Sequence, residues 1–404
     1  METKLTTISK KNEIRERIQL EAGNEAKLHH RCGLAISMGV GKTRIALQNM
    51  MALQLENNSS TSPSEKLKFL VVIPRVKIEK AYKDELELLS WTGELDITYT
   101  TYRSIPKQIL SNFAKIYLDE CHSLTWSVEL PLKFYNGPIL GLTGTPPSYP
   151  KSEKGHMVKT YCPIVYTYMT DEAVDDEVLN KFKMFVHPIS LNPTSQSFII
   201  KYKNGGQKRT SEMEDYISHS KNIEFGGDGS FQHKQMARIY RLSSMKKYSS
   251  KINYLTHNLI PRLAKGNFKY LIFCNTQEQA DLLADPRIGS YHANNKDSEE
   301  NYNRFCKLDK GYMTCVDQIK EGVTIPGLNS VVIMHAYGNE RNASQKIGRM
   351  LRLSPEDTAI GHILMYRDTV DQTWVKAALS KFHHERLKLF LPETNQSYPL
   401  MTSI

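Results

Sequence analysis

The chain has 404 residues, 40% of them hydrophobic and 24% charged, with a formal net charge of +10. That length can hold two globular domains of about 200 residues each, and no run of about 18 apolar residues or apolar leader after Met1-Glu2-Thr3-Lys4 suggests a membrane or secreted chain. The six scattered cysteines lack any Cys-x-x-Cys pair, which argues against a zinc ribbon and for reduced thiols in the cytoplasm, while the basic balance points to a polyanion, most economically nucleic acid.

Residues 1–31 carry few apolar positions, and Ile14, Ile18 and Leu20 fit one helix. Gln19 is the only upstream candidate for the adenine-reading glutamine of some nucleotide motors, although its neighbours do not support that role. Cys32, Leu34, Ala35 and Ile36 read as a buried parallel strand, and Arg44 to Leu53 repeats apolar residues at helical spacing. Between them lies Ile36-Ser37-Met38-Gly39-Val40-Gly41-Lys42-Thr43.

A tight glycine turn between a strand and a helix aims successive backbone N–H groups at one point, which the helix N-terminus makes electropositive. A triphosphate fits there, held by the segment Met38 to Arg44, with Val40 in the loop itself. Gly39 and Gly41 admit close approach, Lys42 reaches the β- and γ-phosphates, and the Thr43 hydroxyl binds Mg²⁺. Ile36 stands where the plain P-loop pattern has its first glycine.

Glu56 to Lys66 is a polar loop. Leu67 to Ile73 is a near-continuous β-branched run suited to a strand buried on both faces, and it stops at Pro74-Arg75. Ile78 to Leu89 is helix-periodic, and Ile97 to Tyr102 gives another short strand. The strand, crossover helix, strand unit means a parallel sheet with ligands beyond the strands' C-terminal ends. Lys115 to Leu118 runs into Asp119-Glu120-Cys121-His122, where Asp119 can hold Mg²⁺, directly or through water, and Glu120 can orient and deprotonate an attacking water. Pro138 to Leu142 is a further strand, ending in Thr143-Gly144-Thr145-Pro146-Pro147.

At this point the chain resembles the superfamily 2 helicases, two-domain motors that hydrolyse ATP to ADP and phosphate while moving on nucleic acid. Gly39–Thr43 matches motif I, Asp119–His122 motif II in its DECH form, and Leu142–Pro146 motif III. The Met-Gly-x-Gly-Lys-Thr and Thr-Gly-Thr-Pro forms are more similar to DNA translocases, including phage and restriction-type motors, than to the RNA-directed DEAD-box branch.

Residues 150–183 are polar and acidic and close the first domain, and Phe185 to Ile189 is a strand leading into the second. Residues 196–230 are rich in Lys, Gly and Ser and read as a hairpin or an exposed insertion, its basic residues either touching phosphates or simply solvated. Ile252, Leu255, Leu259 and Leu263 share helical spacing, with Pro261 near the helix end. Strands follow at Tyr270–Cys274, Gly311–Val316 and Ser330–Met334, with a helix at Gln277–Ala284. The tail, Trp374 to Leu391, reads as a closing helix, and 392–404 as loosely ordered.

Asp317 to Pro326 resembles motif V, although Thr324 stands where the family often has an acidic residue. Gln345-Lys346-Ile347-Gly348-Arg349-Met350-Leu351-Arg352 matches motif VI; Arg349 and Arg352 are i and i+3, so both guanidinium groups can face one cleft and stabilise charge on the transferring phosphoryl. The expected fold is therefore α/β: two tandem RecA-like domains, 1–183 and 184–404, each a parallel sheet flanked by helices, with an ATP cleft between them. The resemblance implies that Gln345, Arg349 and Arg352 act with Glu120 in catalysis. It also implies that His122, Thr143 and Thr145 couple the site to the track, and that Pro74, Arg75, Thr101 with Tyr102, Asn275, Thr276 and Gly322 lie on the nucleic-acid side.

The implied activity is a monomeric ATP- and Mg²⁺-dependent DNA helicase or translocase, phage-like in its compactness. It would sit in the cytoplasm, the host's if viral, and work with replication, recombination or repair proteins. An RNA helicase and a P-loop phosphotransferase indifferent to nucleic acid are the alternatives.

Overall fold

The structure is a computed structural model and describes residues 2–59, 66–147, 149–194, 196–201, 205–225, 231–316, 325–335, 346–351, 357–391, 394 and 396–400. The chain divides into two compact units, whose main parts are Met1–Lys181 for the first and Phe182–Ile319, Ile325–Met350 and Ala359–Ile404 for the second. Both are α/β units built on parallel strands. Among the described residues no helix is long and apolar enough to cross a membrane.

In the first unit, six strands, β1 (Arg31–Ile36), β2 (Lys68–Ile73), β3 (Asp96–Thr101), β4 (Lys115–Asp119), β5 (Ile139–Thr143) and β6 (Ile164–Tyr168), form one sheet. Their order is β3-β2-β4-β5-β1-β6, and every pair is parallel. All five residues of β4 and of β5 are buried, as continuous apolar runs require when helices cover both faces of a parallel sheet. Helices Lys42–Asn58 and Glu79–Leu88 provide the first two crossovers. The acidic stretch after residue 150 also holds helix Glu153–Tyr161 and the edge strand β6.

The second unit carries β7 (Lys181–Ile189), the hairpin β8 (Phe198–Lys201) and β9 (Gln207–Thr210), then β10 (Lys269–Cys274), β11 (Ser290–Tyr291) and β12 (Gly311–Val316). It continues with β13 (Ser330–Ile333), β14 (Thr358–Tyr366), β15 (Leu387–Leu391) and β16 (Gln396–Pro399). Eight of these make a sheet in the order β11-β12-β10-β13-β14-β7-β15-β16. The neighbours β11 to β14 pair in parallel, as do β7 and β15, whereas β16 runs antiparallel to β15.

The tail corrects the sequence reading. The closing helix is Val370–Leu379 only, and the residues expected to extend it form β15, while β16 lies in the stretch expected to be loose. Leu387-Lys388-Leu389 pairs with Met184-Phe185-Val186, so a partner strand 200 residues upstream, by sequence separation roughly, overrides the local helical pattern.

Two polar clusters sit inside this unit. His187 on β7 shares hydrogen bonds with Tyr254 Oη at 2.8 Å and with His362 Nδ1 on β14 at 2.9 Å. Lys251 is fully buried; its Nζ donates to Asp371 Oδ2 at 2.5 Å and to the Met334 carbonyl at 2.7 Å, and lies 2.9 Å from His335 Nδ1. Burial pulls the Lys251 ammonium down to about 8, against the Asp371 charge that supports it.

Candidate active site

The order of the first sheet puts β4, β5 and β1 side by side, with Asp119 paired to Leu142 and Thr143 paired to Ala35. Three loops therefore leave adjacent C-terminal strand ends: Ser37–Lys42, Glu120–His122 and Gly144–Thr145. Parallel pairing alone brings together residues more than a hundred positions apart, at the edge where such sheets bind ligands.

The first loop is held open by its glycines. Gly39 and Gly41 have φ of 87° and 112°, a region costing a side-chain-bearing residue about 1–2 kcal/mol. Lys42 then begins its helix, whose first turn Gly41 closes by accepting from Ile45 N at 3.1 Å. At the loop's start Ser37 N donates to Tyr168 O on β6 at 2.8 Å, and its hydroxyl lies 3.0 Å from that of Thr170.

Lys42 Nζ donates to the Ile36 carbonyl at 3.3 Å and stands 3.9 Å from Glu120 Oε1. A Cβ on Gly144 would come within 3.2 Å of that ammonium and 3.4 Å of Met38 Cγ. The third loop thus approaches the Lys42 ammonium as backbone. Val40 is buried, and Thr43 is half-buried in the first helical turn. Arg44 is engaged elsewhere: its Nε donates to Glu85 Oε1 at 2.7 Å, tying two helices together.

Glu120 has a φ of 52°, the left-handed region that a residue with a side chain occupies at a cost and that recurs at functional sites. Its Oε2 is buried with no hydrogen-bond donor, although His122 Nδ1 is 3.3 Å away in poor alignment. The same Nδ1 lies 2.7 Å from Thr143 Oγ1 and 3.5 Å from Thr145 Oγ1, while Thr145 N donates to Thr143 Oγ1 at 3.1 Å. Asp119 ends β4 in a buried position. The Cys162 thiol beside it, then burial, push the Cys121 thiol well up, so this cysteine stays protonated and serves packing.

Pro74 and Arg75 follow β2, and Thr101 ends β3 with its hydroxyl 3.2 Å from that of Ser104. Tyr102, grouped with Thr101 by resemblance, turns inward instead: it is 8% exposed and donates to the Asp119 carbonyl at 2.8 Å. In the second unit Asn275 and Thr276 follow β10. The Thr276 hydroxyl caps the next helix through Gln279 N, and Asn275 Nδ2 is a buried donor without a partner. Arg349 is 7% exposed, one helical turn after Lys346, whose ammonium lies 5.3 Å from the Phe273 ring centre. Gln345, Arg352 and Gly322 lie outside the described residues.

Gln19 was left without a role by sequence reasoning, but it sits at the loop. Its Nε2 donates to the Val40 carbonyl at 2.8 Å and would lie 2.4 Å from a Cβ on Gly41, and its Oε1 is buried without a donor. No local signal could have shown this, because the contact depends on how helix Glu2–Lys27, which carries Gln19, packs against helix Lys42–Asn58.

These residues fit a nucleoside triphosphate with a divalent cation. The left-handed glycines expose backbone N–H groups, Lys42 supplies the charge, and the unpaired Glu120 oxygen is an acceptor without a donor. Among the described residues no cluster of three or more His, Cys, Asp or Glu side chains stands ready for a metal. An ion held by Thr43 and Asp119 would take its other ligands from phosphate and water.

Residues 250–354 match the helicase conserved C-terminal domain. Over 390 residues the chain is 20% identical to the DNA 3′-5′ translocase XPB2 of Sulfurisphaera tokodaii, covering 88% of this chain and 82% of the relative. The chain is thus similar to helicases and DNA translocases, and its residues 250–354 match a helicase domain. Solved structures share the tandem RecA-like fold. A fragment of a putative HsdR subunit of a type I restriction enzyme from Vibrio vulnificus aligns with a TM-score of 0.59 at 16% identity, covering 94% of this chain and 69% of that one. The Hef helicase domain of Pyrococcus furiosus aligns at 0.51 and 14% identity, covering 90% and 97%. The DNA-bound Type ISP restriction-modification enzyme LlaBIII aligns at 0.58 and 13% identity, the alignment covering 93% of this chain and 31% of that longer protein.

Proposed function

We propose that the protein is an ATP-driven DNA translocase or helicase, with residues 1–183 as its ATP-binding domain and 184–404 as its second RecA-like domain. The observation that carries this reading is the approach of Lys42 to Glu120, 3.9 Å across adjacent strand ends, in a chain whose residues 250–354 match a helicase domain. A lysine for the phosphates beside a carboxylate for water is the pair that phosphoryl transfer to water requires.

In this reading Met38–Thr43 cradle the triphosphate and Lys42 neutralises its terminal oxygens. Mg²⁺, held by Thr43 and Asp119, would neutralise phosphate charge when bound. Glu120 orients the attacking water and accepts its proton; Arg349 and Arg352 donate to the γ-phosphoryl oxygens as charge spreads over them, and Gln345 acts beside them. His122, Thr143 and Thr145 link the carboxylate to the strand ends facing the nucleic acid. Pro74, Arg75, Thr101, Asn275, Thr276 and Gly322 form that track, which contacts mainly phosphates and is therefore indifferent to sequence and sensitive to salt.

DNA is favoured over RNA by the DNA translocase named above and by the DECH and Thr-Gly-Thr-Pro forms of the loops. The test is phosphate release with no nucleic acid, single-stranded DNA, duplex DNA and RNA. Stimulation by DNA is expected; stimulation by RNA alone makes the protein an RNA helicase, and a rate indifferent to all three removes the motor reading.

A further inference from the structure

The first unit holds a cavity of about 320 Å³ far from the glycine loop. It opens where the end of helix Glu2–Lys27 meets the later turns of helix Lys42–Asn58 and the starts of β4 and β5. Lys115, which lines it, begins the strand that Asp119 ends. The length of β4, roughly 13 Å at 3.3 Å per residue, therefore separates the cavity from the candidate active site.

Two buried donors converge on this cavity without acceptors. Lys115 is 5% exposed, and among the described residues its Nζ meets the Tyr117 ring, 5.7 Å from the centre, with no hydrogen bond or ion pair to hold it. Tyr117, two residues along the same face of β4, donates its hydroxyl to Asn49 Oδ1 at 2.8 Å, so Lys115 also points to the side that helix Lys42–Asn58 covers. That bond occupies the Asn49 carbonyl. Asn49, 4% exposed, keeps its Nδ2 as a donor with no acceptor among the described residues. Burial draws the Lys115 ammonium below its usual range, and the Cys32 thiol that acts on it is itself pushed up to about 11 by burial, so it supplies no negative charge.

A buried ammonium is ordinarily paired, because leaving it alone in a protein interior is costly. Small-ligand sites are cavities with apolar walls and a few donors placed to orient the occupant. Here Ala52, Leu53 and Pro138 supply such walls, while exposed Lys27 and Glu56 at the rim oppose each other in charge. We propose that this cavity binds a small organic anion, its single acidic head on Lys115 Nζ and Asn49 Nδ2 and its apolar body against Ala52, Leu53 and Pro138. Phosphate monoesters and carboxylic acids share that chemistry. The inference stands apart from the motor reading, since Lys115 and Asn49 lie outside the motif loops.

The test is titration calorimetry of the full chain with phenyl phosphate and with benzoate. Wild-type protein is expected to bind at least one of them, and the probe that binds names the head as phosphate ester, carboxylate or either. Lys115→Met is expected to weaken that binding about tenfold or more, as loss of a charged donor does, with the melting temperature unchanged or higher because an unpaired buried charge is gone. Asn49→Asp keeps the acceptor for Tyr117 and puts a negative charge into the cavity, so it should exclude the probe while the fold persists. Lys42→Ala separates the two sites, and binding should survive it. Binding lost with Lys42 but kept without Lys115 places the anion at the glycine loop and overturns the proposal. Equal binding in wild type, Lys115→Met and Asn49→Asp overturns it as well, as does a wild-type protein that takes up neither probe at millimolar concentration. Each of these results leaves the motor reading intact.

Discussion

His122 Nδ1 lies 2.7 Å from Thr143 Oγ1, joining the loop after β4 to the end of β5. The same threonine oxygen accepts from Thr145 N, so one hydroxyl organises both loops. Thr143→Val keeps the shape and deletes these bonds, at a cost of about 1–3 kcal/mol for buried partners left unpaired. Thermal unfolding should shift down by a few degrees, and the ratio of DNA-stimulated to unstimulated ATP hydrolysis should fall. An unchanged ratio would make the contact purely structural.

Lys42→Ala and Glu120→Gln should each lower phosphate release by about two to four orders of magnitude and leave circular dichroism unchanged. Glu120→Gln keeps the volume and loses only the base, so it should still bind a fluorescent ATP analogue. Full hydrolysis in either variant would remove that residue from the reaction.

Gly41→Ala meets two obstacles, a φ of 112° and the Gln19 side chain. Nucleotide affinity should fall about tenfold or more, since roughly 1–2 kcal/mol of backbone strain accompanies the collision. Adding Gln19→Ala relieves the collision but not the strain, so partial recovery of binding is expected, by titration with a fluorescent nucleotide. Complete recovery would mean that the left-handed conformation is dispensable.

What the sequence disclosed follows the same physics. Loops after β1, β4 and β5 were legible because glycine turns and paired carboxylates at the ends of apolar strands are local signals. The two helices after the β8–β9 hairpin were not, because Glu212–Phe225 and Phe231–Met245 pack mainly on each other and carry exposed Ile217, Met236 and Ile239 where a core stripe would be looked for. Strand β15 was hidden because its partner is β7. Tyr102 was assigned to the outside because its neighbour Thr101 matched a motif; only the packed structure turns its ring toward Asp119.

Burial holds both members of the inner histidine pair neutral, His362 down to about 3 and His187 well below 6.5; the His362 imidazole adds to the effect on His187, and Arg262 to that on both. The unfolded chain binds these protons near 6.5 and the folded one does not, so stability is complete above that pH and declines below it by up to about 1.4 kcal/mol per histidine per pH unit. Urea unfolding of the second unit at pH 7.5 and 5 should show this loss. His362→Leu should reduce the pH dependence, and an unaltered slope would assign the acid sensitivity to other groups.

Lys251→Met should destabilise the second unit by about 3–5 kcal/mol, because Asp371 is left charged and buried. Lys251→Met/Asp371→Leu should recover much of that loss, although the Tyr366 amide then loses its acceptor. Additive losses in the double variant, measured by chemical denaturation, would deny the coupling.

The helix from Ser250 to Lys265 contains one turn, Leu255–Leu259, wound with a fifth residue, where Ile260 N reaches back to Leu255 O. Pro261 follows at once, and having no N–H to give it fits a helix already out of phase there. One residue more or fewer rotates everything downstream by about 100°. In this phase exposed Arg262 reaches the Phe390 ring, 4.6 Å from its centre, and Leu263 is buried. A single-codon deletion within 255–259 would yield a more regular helix and swing both away from the body of the domain, so here regularity itself would be the defect.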